Sequence, residues 1–116
     1  MFVISLGFVR SYYDACLYYK VFNVEEILII LIYVDDMLLV SSCKEKIRKL
    51  KTQLNSEFEI KDLGCAQKIL GMSITRERDK NMLKISQTLC IEKMVSKFSM
   101  SNCKPVKVPL CKPRRF

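Results

Sequence analysis

Residues 27–40 read ILIILIYVDDMLLV, and this stretch decides the fold that the rest of the chain is expected to adopt. Two apolar runs, each short enough to be a β-strand, flank the adjacent carboxylates Asp35 and Asp36. A turn of about two residues between the runs makes a β-hairpin, and we expect the two aspartates to form that turn. Because neither run alternates with polar residues, the hairpin is predicted to lie inside a sheet that is covered on at least one face.

Two carboxylates at the tip of an apolar hairpin form a candidate site for a divalent cation, because hard cations prefer oxygen ligands. The competing interpretation is a simple solvated turn, since Asp is among the commonest turn residues. A membrane span is disfavoured, because the apolar stretch is shorter than the ~20 residues that a span needs and has two acids at its centre. The sequence therefore predicts no membrane partner.

Charge is distributed unevenly along the 116 residues, whose formal net charge is +8. Residues 1–42 carry two basic and five acidic side chains, whereas residues 43–116 carry eighteen basic and seven acidic ones. An acidic motif beside a basic remainder suits a surface that binds metal ions and phosphate backbone together. The alternative is that the surface lysines only keep the domain soluble.

The residue inventory excludes several classes of site. The sequence has no histidine, which rules out Ser-His-Asp and Cys-His nucleophilic chemistry within the chain. Its six cysteines include no Cys-x-x-Cys pair, so a structural zinc site of ordinary spacing is not expected. No secretory signal is visible in the first residues. We therefore expect free thiols and an intracellular location, cytoplasmic or nuclear, in a protein that is not secreted.

The order of patterns along the chain predicts an α+β fold, an antiparallel sheet with helices on one face. A short helix that ends at Gly7 is expected first, followed by strands at residues 15–22 and 26–33. After the hairpin, Ser42 and Glu45 have the spacing of a capping box at the start of a helix. That helix is predicted over residues 44–56, and its apolar face consists of Ile47, Leu50 and Leu54.

The second half of the chain predicts a smaller hairpin and one more helix. An edge strand is expected at residues 58–62, and a strand at 67–76 is interrupted by Gly71, which suggests either a bulge or a close backbone approach by a partner. Residues 82–85 are predicted to pair back on that strand. Ser86 is the expected cap of the last helix. The apolar stripe of that helix consists of Leu89, Ile91, Met94, Val95 and Phe98.

Residues 33–36, Tyr-Val-Asp-Asp, resemble the Tyr-x-Asp-Asp motif in the metal-binding hairpin of reverse transcriptases. With the Met that follows, the motif is most similar to the long-terminal-repeat retrotransposons of the copia type. Further similar segments occur in the order of that family. They are GFVRS at residues 7–11, FEIKDLG at 58–64, ILGMSI at 69–74, LKISQ at 83–87 and the prolines at 105 and 109. Because the resemblance covers nearly the whole chain, the sequence is identified as a member of the copia-type family.

The resemblance implies a fragment of an RNA-directed DNA polymerase from a Pol polyprotein. Residues 1–85 correspond to the back half of the palm, with the Tyr-Val-Asp-Asp hairpin and a hairpin like the primer grip. Residues 86–100 correspond to the first helix of the thumb, and residues 101–116 form a basic, proline-containing tail. The parent enzyme adds deoxynucleotides from dNTP to a primer that is paired with an RNA or DNA template.

The resemblance also assigns roles to single residues. Two Mg²⁺ ions serve the reaction in the intact enzyme. Asp35 is the direct metal ligand, and Asp36, the second acid of the catalytic pair, is a partial or outer ligand of the metal. The resemblance places Tyr33 and Val34 against the end of the primer, and Leu70, Gly71 and Met72 against the primer backbone, where glycine permits close approach. Lys84 is expected on its charge, together with Lys93, Lys97 and the tail cations, to add sequence-independent attraction to phosphate.

The sequence also departs from the family pattern. The further palm aspartate, in an Asp-x-x-x-Ala-Phe-like element, has no counterpart, and the front half of the polymerase is missing. Cys90 stands where the family prefers Tyr. We therefore expect no polymerase activity from the isolated chain. Two alternative functions stay open at this point, namely a non-catalytic basic nucleic-acid-binding remnant and a small α+β interaction domain.

Overall fold

A computed structural model describes residues 1–107 of the chain. The helices and strands are α1 (Phe2–Ser5), β1 (Val9–Arg10), β2 (Leu17–Val21), β3 (Ile27–Tyr33), β4 (Asp36–Ser41), α2 (Lys44–Glu57), β5 (Lys68–Ile69), β6 (Met72–Glu77), β7 (Met82–Ser86) and α3 (Thr88–Lys97). They confirm the α+β class. The strands divide between two sheets of order β1-β2-β3-β4 and β5-β6-β7. The chain separates into two compact units, Met1–Leu70 and the residues from Gly71 onward.

β3 is an interior strand of the larger sheet, paired antiparallel with β2 on one side and β4 on the other. Side chains along a strand alternate between the two faces of a sheet. Leu28 and Ile30 are 3% and 0% exposed, and Tyr18, which lies opposite Ile30, is 5% exposed. They join Val3 of α1 in a single hydrophobic core. The helices therefore cover one face of this sheet, as the uninterrupted apolar runs predict.

α2 completes the core from the same side. Its bounds agree with the predicted helix to within one residue, and Leu50 and Leu54 are 2% and 0% exposed. The predicted capping box, however, is wrong. The N-cap residue is Cys43, and no side chain caps the first turn. Ser42 Oγ donates instead to the carbonyl of Glu25 at 3.2 Å, which takes the hydroxyl away from the helix.

The predicted edge strand at residues 58–62 is also wrong, because this stretch has no strand. Asp62 is held by two side-chain interactions that favour a turn. Its carboxylate forms an ion pair with Lys51 at 2.9 Å and accepts the N–H of Gly64 at 2.9 Å. Both interactions lower the pKa of the Asp62 carboxyl, the one with Lys51 most strongly.

The predicted strand at 67–76 is split in two by a turn. Leu70 and Gly71 connect β5 with β6, and their φ values of 49° and 76° are both positive. Two positive φ values are the pattern of a type I′ hairpin turn, which favours glycine. Gly71 therefore belongs to a turn and not to a bulge. The pairing of residues 82–85 with the preceding strand is confirmed by β7.

The unit from Gly71 onward differs from the first in the burial of its side chains. Ser86 is the last residue of β7, so α3 begins after Gln87 and not at the predicted Ser86 cap. The predicted apolar stripe of α3 is largely solvent-exposed, with Phe98 at 66%. No residue described between Gly71 and Lys107 is buried. This part of the chain therefore has secondary structure but no core of its own.

Two further predictions concern the chain as a whole. Cys16, Cys43, Cys65, Cys90 and Cys103 are free thiols, as expected. Among the described residues, none of the helices combines the length and the apolar character needed to cross a membrane. Residues 101–107 contain neither helix nor strand, and the rest of the predicted tail at 101–116 lies outside the described residues.

Candidate metal site on the β3–β4 hairpin

The turn of the central hairpin lies one residue earlier than the sequence predicts. Tyr33 pairs with Asp36, so the two turn residues are Val34 and Asp35, and Asp36 is the first residue of β4. The apolar pattern explains the shift. This register places Met37 opposite Ile32, on the face that the helices cover. Moving the turn by one residue would turn every side chain of β4 to the other face.

Val34 has an uncommon backbone conformation for its residue type. Its φ is 53°, whereas Asp35 does not have a positive φ. A positive φ at the first turn position only is the pattern of a type II′ turn, where glycine is favoured. A β-branched residue in this region is strained by roughly 1–2 kcal/mol. Strained residues often occur at functional sites, where surrounding structure holds them.

We expect the substitution Val34→Gly to raise the free energy of unfolding by up to about 1 kcal/mol, because glycine adopts a positive φ without strain. The Val34 side chain is 83% exposed, so little packing is lost. Val40, which lies within β4, provides the matched control. Val40→Gly should destabilise the protein, since glycine weakens a strand interior. Urea unfolding followed by circular dichroism measures both changes, and destabilisation by Val34→Gly would contradict the strained turn.

The two carboxylates at this turn are free to bind a cation. Asp35 and Asp36 are exposed. Neither takes part in any ion pair or side-chain hydrogen bond found within residues 1–107. Asp36 and Tyr33 are direct cross-strand neighbours, so their side chains share the sheet face opposite the core. The structure therefore brings Tyr33, Val34, Asp35 and Asp36 together at one end of the sheet.

The donor set of this site is small. Within the described residues, no three His, Cys, Asp or Glu side chains lie close enough together to hold a metal ion. Two adjacent carboxylates nevertheless suit Mg²⁺, which commonly keeps several waters and binds one or two carboxylates together with substrate phosphates. The arrangement can therefore hold a hydrated cation that a phosphate ligand completes.

The other predicted nucleic-acid contacts lie on the smaller sheet. Leu70 and Gly71 form the β5–β6 turn, and Met72 begins β6. Lys84 lies on β7 opposite Thr75 and is exposed. Gly71 permits a close approach to the backbone of this turn, and backbone N–H groups can donate to phosphate oxygens. The sequence interpretation did not single out one other cluster, formed by cations around Phe22, because its members come from separate elements.

Comparison with known proteins gives a consistent result. Residues 1–112 match the family described as "Reverse transcriptase (RNA-dependent DNA polymerase)". The chain is 47% identical over 109 residues to a retrovirus-related Pol polyprotein from transposon TNT 1-94 of Nicotiana tabacum, which covers 94% of this chain and 8% of that protein. The similarity to copia-type retrotransposons that the sequence motifs indicate is thereby confirmed.

Two more distant relatives extend the comparison. An uncharacterized mitochondrial protein of Arabidopsis thaliana is 38% identical over 81 residues, which is 70% of this chain and 33% of that protein. A putative transposon Ty5-1 protein of Saccharomyces cerevisiae is 27% identical over 107 residues, or 92% of this chain and 34% of that protein. The chain thus spans about a third or less of each of these relatives. No solved structure matches it.

Proposed function

Because the chain belongs to the reverse transcriptase (RNA-dependent DNA polymerase) family, we propose that it provides the metal-binding hairpin of a polymerase that copies RNA or DNA templates into DNA. One observation carries this proposal. The Val34–Asp35 turn leaves two carboxylates exposed and unpaired, within the described residues, at the end of two apolar strands.

The residues suit the chemistry of a divalent cation. Asp35, at the tip of the turn, is the proposed direct ligand, and Asp36 is the second acid of the catalytic pair. A bound Mg²⁺ supplies Lewis-acid stabilisation of the phosphoryl group and of the leaving pyrophosphate. The role of the chain itself is to hold both carboxylates on a short hairpin that is fixed by the sheet. Two such ions serve the proposed reaction in the intact polymerase, with dNTP phosphates as further ligands.

Nucleic acid is the proposed partner of both hairpins. Tyr33 and Val34 are 50% and 83% exposed, which leaves them free to contact the end of a primer. The β5–β6 turn, through Leu70, Gly71 and Met72, is proposed to contact the primer backbone. Lys84 adds sequence-independent attraction to phosphate.

The proposed division of the chain into polymerase regions also rests on the family. We assign residues 1–85 to the polymerase palm and residues 86–100 to the beginning of the thumb, with residues 101–116 as a basic tail. An intracellular location, cytoplasmic or nuclear, goes with this assignment. The five free cysteines described are in keeping with it, since reducing compartments maintain thiols.

The test is binding of the full chain to a labelled primer–template duplex, measured by fluorescence anisotropy. We expect affinity to fall with rising salt, because phosphate contacts release counterions. We expect added Mg²⁺ to strengthen binding by roughly threefold to tenfold, as a cation bridge between carboxylate and phosphate would. The double substitution Asp35→Asn with Asp36→Asn should remove only the Mg²⁺-dependent gain.

Asp79→Asn is the matched control, because Asp79 is an exposed acid in the 3₁₀ turn Arg78–Lys80. It should keep both the salt dependence and the Mg²⁺ gain. Salt-dependent binding that no aspartate substitution alters would instead support a non-catalytic basic nucleic-acid-binding module. Absence of any binding to the duplex would support an interaction domain and contradict the proposal.

A further inference from the structure

A pocket lies within the unit Met1–Leu70, away from the aspartate pair. Its volume is about 220 Å³, and it opens between the α1–β1 turn, β2 and α2. Its apolar lining includes Leu6, Phe8, Leu28 and Leu50. Three lysines also line it, namely Lys20, Lys46 and Lys49. Leu28 lies on the core face of β3, whereas Asp36 points to the opposite face. Along β3, Leu28 lies roughly 17 Å from Tyr33, the last residue before the turn, at about 3.4 Å per residue.

Lys20 is fixed in this pocket by several contacts. Its Nζ donates to the carbonyl of Leu6 at 2.7 Å and lies 5.4 Å from the ring centre of Phe22. Gly7 allows this approach, since a Cβ at that position would be 3.1 Å from the ammonium nitrogen. One of the three N–H donors of the ammonium is thereby used, which leaves two for a ligand.

Lys46 and Lys49 add charge beside it. Lys46 Nζ lies 3.6 Å from the ring centre of Phe22 and forms an ion pair with Glu26. Lys49 makes no ion pair with any residue of the described part of the chain. Three ammonium groups against one carboxylate leave an excess of two positive charges around an apolar floor.

We propose that this pocket binds the phosphate group of a nucleotide, either free or at the end of a nucleic-acid strand. A phosphomonoester carries about −1.5 to −2 charges at neutral pH, which matches the local excess. Lys20 and Lys49 are the phosphate ligands. The Lys46 ammonium covers one face of the Phe22 ring, and the part of the ring that stays exposed at the rim, 45% of the residue, is the proposed contact for the attached base. Ligand pockets commonly have volumes of about 300–1,000 Å³, so only the phosphate and one ring system are expected to enter here.

Titration of the full chain with AMP, followed by amide chemical shifts in NMR spectra, tests this proposal. Omitting divalent cations keeps the aspartate pair out of the measurement. We expect saturable shifts around Gly7, Phe22 and Lys49. The substitution Lys49→Gln should weaken AMP binding about fivefold, as loss of one charge-assisted contact would. Lys44→Gln is the control, because Lys44 is an exposed cation of the same helix that does not line the pocket.

Three further ligands distinguish the source of the phosphate and the role of the ring. Phe22→Leu should weaken AMP binding but leave inorganic phosphate binding unchanged. If an oligonucleotide with a 5′-phosphate displaces AMP and the same strand without the phosphate does not, the ligand is a nucleic-acid end. If neither oligonucleotide displaces AMP, the ligand is the free nucleotide. Absence of saturable shifts with AMP, or equal weakening by Lys44→Gln and Lys49→Gln, would overturn the proposal.

Discussion

We expect the replacement of Asp35 and Asp36 together by Asn to abolish saturable binding of Mn²⁺ at the β3–β4 turn. Mn²⁺ replaces Mg²⁺ at oxygen ligands, and its paramagnetism broadens the amide signals of nearby residues. In the unaltered chain we expect this broadening to centre on Val34 and Asp35. A site with two carboxylates and no third acid, among the residues described, should bind with a dissociation constant near the weak end of about 10⁻⁴–10⁻³ M.

The expected loss of Mn²⁺ affinity can be estimated from the charge of the two carboxylates. One carboxylate attracts a divalent ion at 4 Å by about 2 kcal/mol in water, twice the value for two unit charges. Removing both carboxylates should therefore weaken binding by well over ~10-fold, given that about 1.4 kcal/mol corresponds to one decade. The single change Asp35→Asn should cost more than Asp36→Asn, because Asp35 is the proposed direct ligand.

Asp79→Asn serves again as control and should leave the broadening at Val34 unchanged. Because all three aspartates are exposed, none of these substitutions is expected to unfold the chain. Circular dichroism of each variant checks that expectation. Undiminished broadening at the turn in the double variant would show that the carboxylates are only part of a solvated turn.

The substitution Ile30→Ala should lower the free energy of unfolding by about 2–5 kcal/mol, the range for removing a large buried aliphatic side chain. Ile30 is 0% exposed and lies at the centre of the core that α1 and α2 cover. A domain of this kind is stable by only about 5–15 kcal/mol, so this loss is a large fraction of the total.

Ile27→Ala is the matched control on the same strand. Ile27 is 38% exposed and points to the opposite face, so its truncation should cost about 1 kcal/mol or less. Urea unfolding of both variants gives the comparison, with an unchanged denaturant slope as evidence for two-state behaviour. Equal losses, or a larger loss for Ile27→Ala, would mean that the register of β3 is not the one described.

Turn chemistry in this chain was harder to predict than its strands and helices. The bounds of β3 and α2 follow from apolar patterns, which depend on local spacing alone. The Asp-Asp pair predicts a turn on propensity, yet Val34 enters the turn with a φ of 53°. Propensity is outweighed here because the register must place Ile32 and Met37 on the covered face.

The predicted helix caps were wrong for a related reason. The spacing of Ser42 and Glu45 is that of a capping box, but a side-chain hydroxyl bonds to whichever acceptor the fold brings nearest. That acceptor is the carbonyl of Glu25, seventeen residues away in sequence. Ser86 similarly ends β7, and the N-cap residue of α3 is Gln87; the Ser86 Oγ accepts the N–H of Thr88, the first residue of the helix, at 3.2 Å from outside the cap position.

The amino-acid sequence by itself determined the α+β class, the central hairpin, the amphipathic α2 and the family, because each is written in contiguous residues or their spacing. Only the tertiary structure decided which residues form the hairpin turn and which face of the sheet is covered. It also decided that Lys20, Lys46 and Phe22 meet, since β2, the loop after it and α2 bring them together across the chain. Such juxtapositions depend on burial and register over the whole sheet, which no local pattern encodes.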